Sequence, residues 1–147
     1  MPPEYLVRTL KVPDLSLDPQ NPRFVSLEKK EQDSIISYLL NNEDVMALAR
    51  SISSYGGLMP GEFPIVCVED GTHYVVEGNR RVCACKILLD PNLAPAEFRT
   101  SIPTITKTAR DAIKKIRVHI VSTREEAQIV LGTRHIQVTC PSSDTTL

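Results

Sequence analysis

Residues 72–89 read Thr-His-Tyr-Val-Val-Glu-Gly-Asn-Arg-Arg-Val-Cys-Ala-Cys-Lys-Ile-Leu-Leu, and the change of pattern in the middle of that run decides the fold class. Thr72 to Glu77 is rich in β-formers. Val82 to Leu89 is apolar apart from Lys86 and is halted by Asp90-Pro91. The run therefore reads as a strand, a tight turn at Gly78-Asn79-Arg80-Arg81, and a buried helix over 79–89. A second β-rich run, Pro64 to Val68, enters through Glu69-Asp70-Gly71. Asp-Gly is the strongest short hairpin signal, so the two runs should pair antiparallel.

Toward the N-terminus, Tyr5 to Val12 alternates as a strand does. Pro13, Asp18-Pro19 and Asn21-Pro22 then impose an irregular loop that ends at Arg23 and Phe24. Ile35, Ile36, Leu39 and Leu40 predict a helix over 27–40. A second helix, 43–55, would have Asn42 as its N-cap and Glu43 and Asp44 at its positive end. Val45, Leu48, Ala49, Ile52 and Tyr55 form its apolar stripe, and Gly56-Gly57 its left-handed stop. Toward the C-terminus, residues 90–103 read as a Pro-containing loop and 108–113 as a short amphipathic stretch. A strand follows over 116–121, then a helix over 123–131 with Ser122 and Glu125 as a capping box. The sum is an α+β domain over 1–136, a small mixed or antiparallel sheet with packed helices, and a tail, 137–147, expected to be disordered.

The length, 147 residues, suits one domain, and 41% hydrophobic residues suffice for a core built from Leu, Ile, Val and Ala, since Trp is absent and aromatics are 5%. No apolar run approaches a membrane span and no secretory signal opens the chain, so a cytoplasmic protein without a membrane partner is expected. The net charge of −1 conceals a gradient: residues 1–78 hold 6 basic and 12 acidic side chains, 79–124 hold 10 and 3, and 125–147 hold 1 and 3. A basic middle is the footprint of an anionic partner, unless folding brings the acidic part against it. Cys67, Cys83, Cys85 and Cys140 fit neither a metal spacing nor a disulfide frame, and read as small buried apolar residues. His73, His119 and His135 are scattered.

At a strand-to-helix turn, glycine permits a tight bend, the helix start presents free N–H groups with partial positive charge, and two arginines add guanidinium forks. Together these make a phosphate cradle, for which arginine's paired donors are better suited than a lysine. Taken alone, the same residues also fit a turn glycine with two surface arginines, one paired to Glu77 or Asp90.

The order of short motifs along the chain resembles the N-terminal domain of ParB chromosome-partitioning proteins and the wider ParB/sulfiredoxin fold. The matching features are Asn21-Pro22-Arg23, Leu48-Ala49-Arg50-Ser51-Ile52, Gly57-Leu58-Met59-Pro60, the Asp70-Gly71 hairpin, Glu77-Gly78-Asn79-Arg80-Arg81 with Ala84 behind it, Ile102-Pro103, and the helix from Glu125 to Leu131. The resemblance covers roughly residues 6 to 136. It implies a nucleoside triphosphate, CTP as in ParB or ATP as in sulfiredoxin, with or without magnesium. Gly78, Asn79, Arg80 and Arg81 would hold its phosphates, with Arg23 and Arg134 as further phosphate arginines, and Gly57 and Pro60 would meet the nucleoside. The chain departs from the pattern at Asn79, where ParB has Glu and sulfiredoxin its catalytic Cys, and at Met59, where ParB usually has Gln. The late ParB motif is represented only by Gly132-Thr133-Arg134-His135. Sulfiredoxin-type reduction is therefore not expected. The Glu-Gly-Asn-Arg-Arg turn is similar to that of bacterial ParB-like proteins of partitioning, plasmid and defence systems.

Three functions follow from these features. The first is a nucleotide-binding module working as a switch or slow NTPase. The second is a ParB-like nuclease or phosphotransferase with Glu77 as acid, base or metal ligand. The third is a nucleic-acid- or protein-binding remnant without nucleotide binding. The chain ends where ParB proteins begin their helix-turn-helix and dimerisation domains, so contact with DNA would run through a non-specific basic surface.

Overall fold

The computed structural model describes the backbone of residues 6–61 and 63–144, and side chains as far as residue 134. Its elements are an α+β arrangement: a five-stranded mixed sheet and, among the described residues, six α-helices. The strands are β1 (Leu6–Lys11), β2 (Leu15–Leu17), β3 (Ile65–Glu69), β4 (Thr72–Glu77) and β5 (Lys115–Val121). The helices are α1 (Gln32–Asn42), α2 (Val45–Tyr55), α3 (Asn79–Leu89), α4 (Ala96–Arg99), α5 (Lys107–Lys114) and α6 (Arg124–Asp144). The sheet order is β1-β5-β3-β4-β2. β1 and β5 run antiparallel, β5 and β3 parallel, β3 and β4 antiparallel, and β4 and β2 parallel.

The β3–β4 hairpin turns on Asp70 and Gly71, both with positive φ (49° and 78°), as a two-residue type I′ connection requires. α3 lies at the centre of the main core. Val82, Cys83, Ala84, Cys85, Ile87 and Leu88 are all buried, which is why its sequence is apolar nearly all round instead of along one stripe. The core's other walls are Val12, Leu15 and Leu17 from the N-terminal segment, Ile35, Leu39 and Ile52 from α1 and α2, and Val118 from β5. A smaller cluster on the opposite sheet face packs α6, through Ala127 and Val130, onto Ile65, Cys67 and Val121.

Several local expectations are corrected. The segment 13–24, expected to be irregular throughout, contains β2, whose Leu15 and Leu17 are buried while Ser16 is not. Gln32 is fastened to that edge strand: Leu17 N–H donates to its Oε1 at 2.8 Å, and its Nε2 donates to Leu17 O at 2.9 Å. α1 accordingly starts at Gln32 instead of residue 27, because Glu28-Lys29-Lys30-Glu31 has nothing to bury. Asn42 is the last residue of α1, its Nδ2 donating back to Tyr38 O, and α2 is preceded by Asp44 in the left-handed region at φ 52°. The stop of α2 is as expected: Gly56 has φ 89°, and the N–H groups of Gly56 and Gly57 both donate to Ile52 O. α4 lies within the expected loop 90–103. The cap of α6 is Thr123 instead of Ser122, its Oγ1 accepting from Glu126 N–H at 3.1 Å. α6 is longer than the predicted 123–131, running to Asp144 and so into the segment 137–147. Residues 145–147 of that segment, Tyr5 of the first strand, and the side chains of His135 and Cys140 lie outside the described residues. Among the described residues no helix is long and apolar enough to cross a membrane.

Candidate phosphate-binding turn and adjoining cleft

β4 reaches the turn through an irregularity. Val75 pairs with Val66 and Glu77 with Ile65, so Val76 is an extra residue on β4. Such a bulge bends the strand and redirects its last side chain, Glu77. Gly78 follows at φ 99°, and a Cβ on it would stand 2.9 Å from Pro64 Cβ and 3.2 Å from Pro64 Cα. Conformation and close approach both demand glycine here. Gly78 is the N-cap of α3 and no side chain caps that helix; its carbonyl accepts from Val82 N–H at 3.0 Å. The first N–H groups of an eleven-residue helix thus face the turn without a capping oxygen.

Asn79, the first residue of α3, is only 4% exposed. Its Oδ1 accepts from Asp18 N–H at 3.1 Å, while its Nδ2 is buried with no hydrogen-bond partner among the described residues. A buried donor left unsatisfied costs about 1–3 kcal/mol. Asn79 lines a cleft of about 340 Å3 together with Glu77, Gly78, Arg80, Arg81 and Arg23. Arg23 is brought there by the Asn21-Pro22-Arg23 turn, in which Asn21 Oδ1 accepts from Arg23 N–H, and by Phe24, which is fully buried and set edge-on against Tyr38 at 5.5 Å.

The arginines of this cleft differ in their commitments. Arg80 bonds to backbone: its Nε donates to Glu43 O at 2.6 Å and its Nη2 to Asp44 O at 3.3 Å. Arg23 Nη1 lies 3.2 Å from Glu43 Oε1, an exposed ion pair of small energetic weight. Arg81 lines the turn cleft and also a larger one of about 560 Å3, whose lining includes Gly57, Pro60, Tyr55, Met59 and Phe63. The residues expected at the phosphate end and at the nucleoside end are therefore in adjoining clefts with Arg81 in common. Arg134 is not in the lining of either cleft but reaches the segment that packs on Gly78. Its Nη2 donates to Phe63 O at 2.8 Å, bracing the segment that carries Phe63 and Pro64.

Two features of the region were not read from the sequence. Lys115 and Arg117 line the larger cleft beside Arg81. Behind the turn, Arg124 binds Asp18 through Nη1 (2.7 Å) and Nη2 (3.0 Å), and Glu69 through Nε and Nη2 (both 3.0 Å). These hydrogen bonds hold the Glu69 carboxyl below the usual glutamate range and raise Arg124 further above its own. No local signal could have found the pairing, since Asp18 and Arg124 are 106 residues apart.

Glu77 is the carboxylate in the turn cleft, and among the described residues no group of three or more His, Cys, Asp or Glu is placed to hold a metal. A magnesium ion brought with phosphates needs only one or two protein carboxylates, so this donor set meets the minimum for that ion. Burial pushes the thiols of Cys83 and Cys85 up to about 12, leaving them un-ionised at neutral pH. Compared with family models, curated proteins and solved structures, the chain has no match.

Proposed function

We propose that the chain binds a nucleoside triphosphate, CTP or ATP, at the Gly78–Arg81 turn and works as a switch or slow NTPase. The observation that carries this reading is the cleft in which the start of an eleven-residue helix, without a side-chain cap, meets the side chains of Arg23, Arg80 and Arg81. Arg81, common to both clefts, would hold the phosphates while Gly57 and Pro60 border the nucleoside. An added Cβ on Gly57 would reach van der Waals contact with Ala112 Cβ, at 3.4 Å. Glu77 would hold magnesium, which supplies charge neutralisation at the phosphates, or orient water beside them. The resemblance to ParB-like domains supports the same assignment, and with it a place in DNA partitioning, plasmid or defence functions.

The test is thermal unfolding of the purified chain with CTP, ATP, ADP, GTP or no nucleotide, with and without magnesium. Ligand at 100 times Kd stabilises the folded state by about 2.7 kcal/mol, so millimolar nucleotide should give a clear rise in Tm. Arg81→Ala should abolish the rise. A rise selective for CTP would align the chain with ParB, and one selective for ATP with the phosphotransfer branch of the fold. No rise with any nucleotide would remove the proposal. Loss of phosphate release in Glu77→Gln, with nucleotide binding kept, would favour the second reading, an enzyme in which Glu77 acts on the phosphates or on a phosphodiester.

A further inference from the structure

The ladder between β1 and β5 holds an arrangement that packing does not explain. Lys11 stands directly opposite Lys115, and Thr9 opposite Arg117. Partners across a ladder share a face and residues two apart return to it, so Lys11, Lys115 and Arg117 lie on one face of the sheet. The alternate residues of β5, Ile116 and Val118, are buried in the main core on the other face. α6 covers the first face only toward Val121 and leaves Lys11, Thr9, Lys115 and Arg117 exposed. Like charges directly opposite in an antiparallel pair repel, and neither β1 nor β5 supplies an Asp or Glu to that face. Among the described residues, none of the three cations has an ion pair.

Lys115 and Arg117 are also walls of the larger cleft, which they share with Tyr55, Met59 and Phe63. Tyr55 and Met59 are large apolar side chains left more than half exposed, at 56% and 59%. Cations spaced along a strand beside exposed rings and an unbranched thioether fit one class of polyanion, one whose bases are free to leave their own stack. A duplex would meet the cations and leave the apolar wall unused. We propose that the open face formed by Lys11, Lys115 and Arg117, with Tyr55, Met59 and Phe63, docks single-stranded nucleic acid. The cations hold successive phosphates and the apolar wall takes unstacked bases. Lys115 and Arg117 are roughly 6.6 Å apart along β5 at the usual rise per residue, an interval that an extended strand's phosphates can follow. This inference does not rest on the nucleotide reading. Lys11 is outside the cleft lining and separates the two.

The experiment is fluorescence anisotropy of a labelled oligothymidylate of about 15 nucleotides, the upper part of the range for one small domain, with the full chain and no nucleotide, across a salt series. The same measurement is made on a duplex of equal length. Three phosphate contacts predict a slope of log affinity on log salt of about −2, roughly −0.7 for each contact on a single strand. Lys11→Gln combined with Lys115→Gln should weaken binding tenfold or more and make the slope shallower by about 1.4. Tyr55→Ala should weaken it with the slope unchanged. Lys11→Gln alone should weaken strand binding and leave any nucleotide-induced rise in Tm intact. None of the variants should lower the Tm of the free protein. Equal strand affinity in wild type and the double variant would overturn the proposal, as would duplex binding as tight as strand binding with Tyr55→Ala silent. Self-association of the double variant with strand binding unchanged would also overturn it, assigning the lysines to protection of an edge strand.

Discussion

Two arginine-rich centres flank Asp18, and they are built on opposite terms. On one side Arg124 gives four hydrogen bonds to the carboxylates of Asp18 and Glu69 and lies over the Tyr74 ring at 5.9 Å. On the other, the Gly78–Arg81 turn gathers Arg23, Arg80 and Arg81 around a cleft in which Asn79 keeps a buried donor unsatisfied. The link between them is the bond from Asp18 N–H to Asn79 Oδ1. A centre whose donors and acceptors are matched is architecture, since nothing more can be bound there without breaking it. The turn, held by the same framework, leaves one buried donor without an acceptor among the described residues, and the cost of that shortfall falls on the fold.

The contrast breaks most visibly at the matched centre. Arg124→Ala leaves the nearly buried Asp18 carboxylate beside Glu69 with no counter-charge, and should lower stability by about 3–5 kcal/mol in urea unfolding. Gly78→Ala comes next, at about 2–4 kcal/mol, because it adds overpacking against Pro64 to a positive φ. Arg80 and Arg81 then test the division inside the unmatched centre. Arg80→Ala removes charged donors from Glu43 O and Asp44 O and should cost about 1.5–3 kcal/mol of stability. Arg81→Ala should lower nucleotide affinity at least tenfold, an effect of about 1.4 kcal/mol on binding. Unchanged nucleotide affinity in Arg81→Ala would remove that residue from the phosphate site. The smallest effect is on acid stability. The hydrogen bonds from Arg124 depress Glu69 in the folded state, so its contribution is present above the unfolded glutamate range and fades as pH falls through the folded value. Urea unfolding from pH 6 downward should show that decline, and Arg124→Gln should lose this part of the slope.

What could be read from the chain alone divides along the range of the interactions. The Asp70-Gly71 hairpin, Gly56 at the end of α2, and Gly78 before α3 are settled by backbone conformation within a few residues, and all three stand where the sequence put them. The joint between α1 and α2 does not. Asn41-Asn42-Glu43-Asp44 offers several good caps in succession, and Arg80, from a distant helix, engages the carbonyls of Glu43 and Asp44. β2 was invisible because three residues amid prolines carry no periodicity. It exists because β4 offers a parallel edge and Gln32 satisfies its backbone on the outside. In the candidate site, the turn and the position of Arg23 were legible as motifs. The orphan donor of Asn79, the bracing role of Arg134, and the Lys11–Lys115 apposition exist only once remote strands are set side by side.

The two outer strands of the sheet, β1 and β2, belong to one uninterrupted run, residues 6–17. That arrangement has a kinetic consequence. β1 leaves the ribosome long before β5 and cannot take its place beside it until β5 has emerged, for Leu6 waits on Ile120, whereas the β3–β4 hairpin and α3 can form locally well before. Pairings so remote in sequence slow folding. The N-terminal run should therefore dock late, closing both margins of the sheet over a hairpin and helix already in place, and hydrogen exchange during refolding should protect residues 6–17 after residues 65–89.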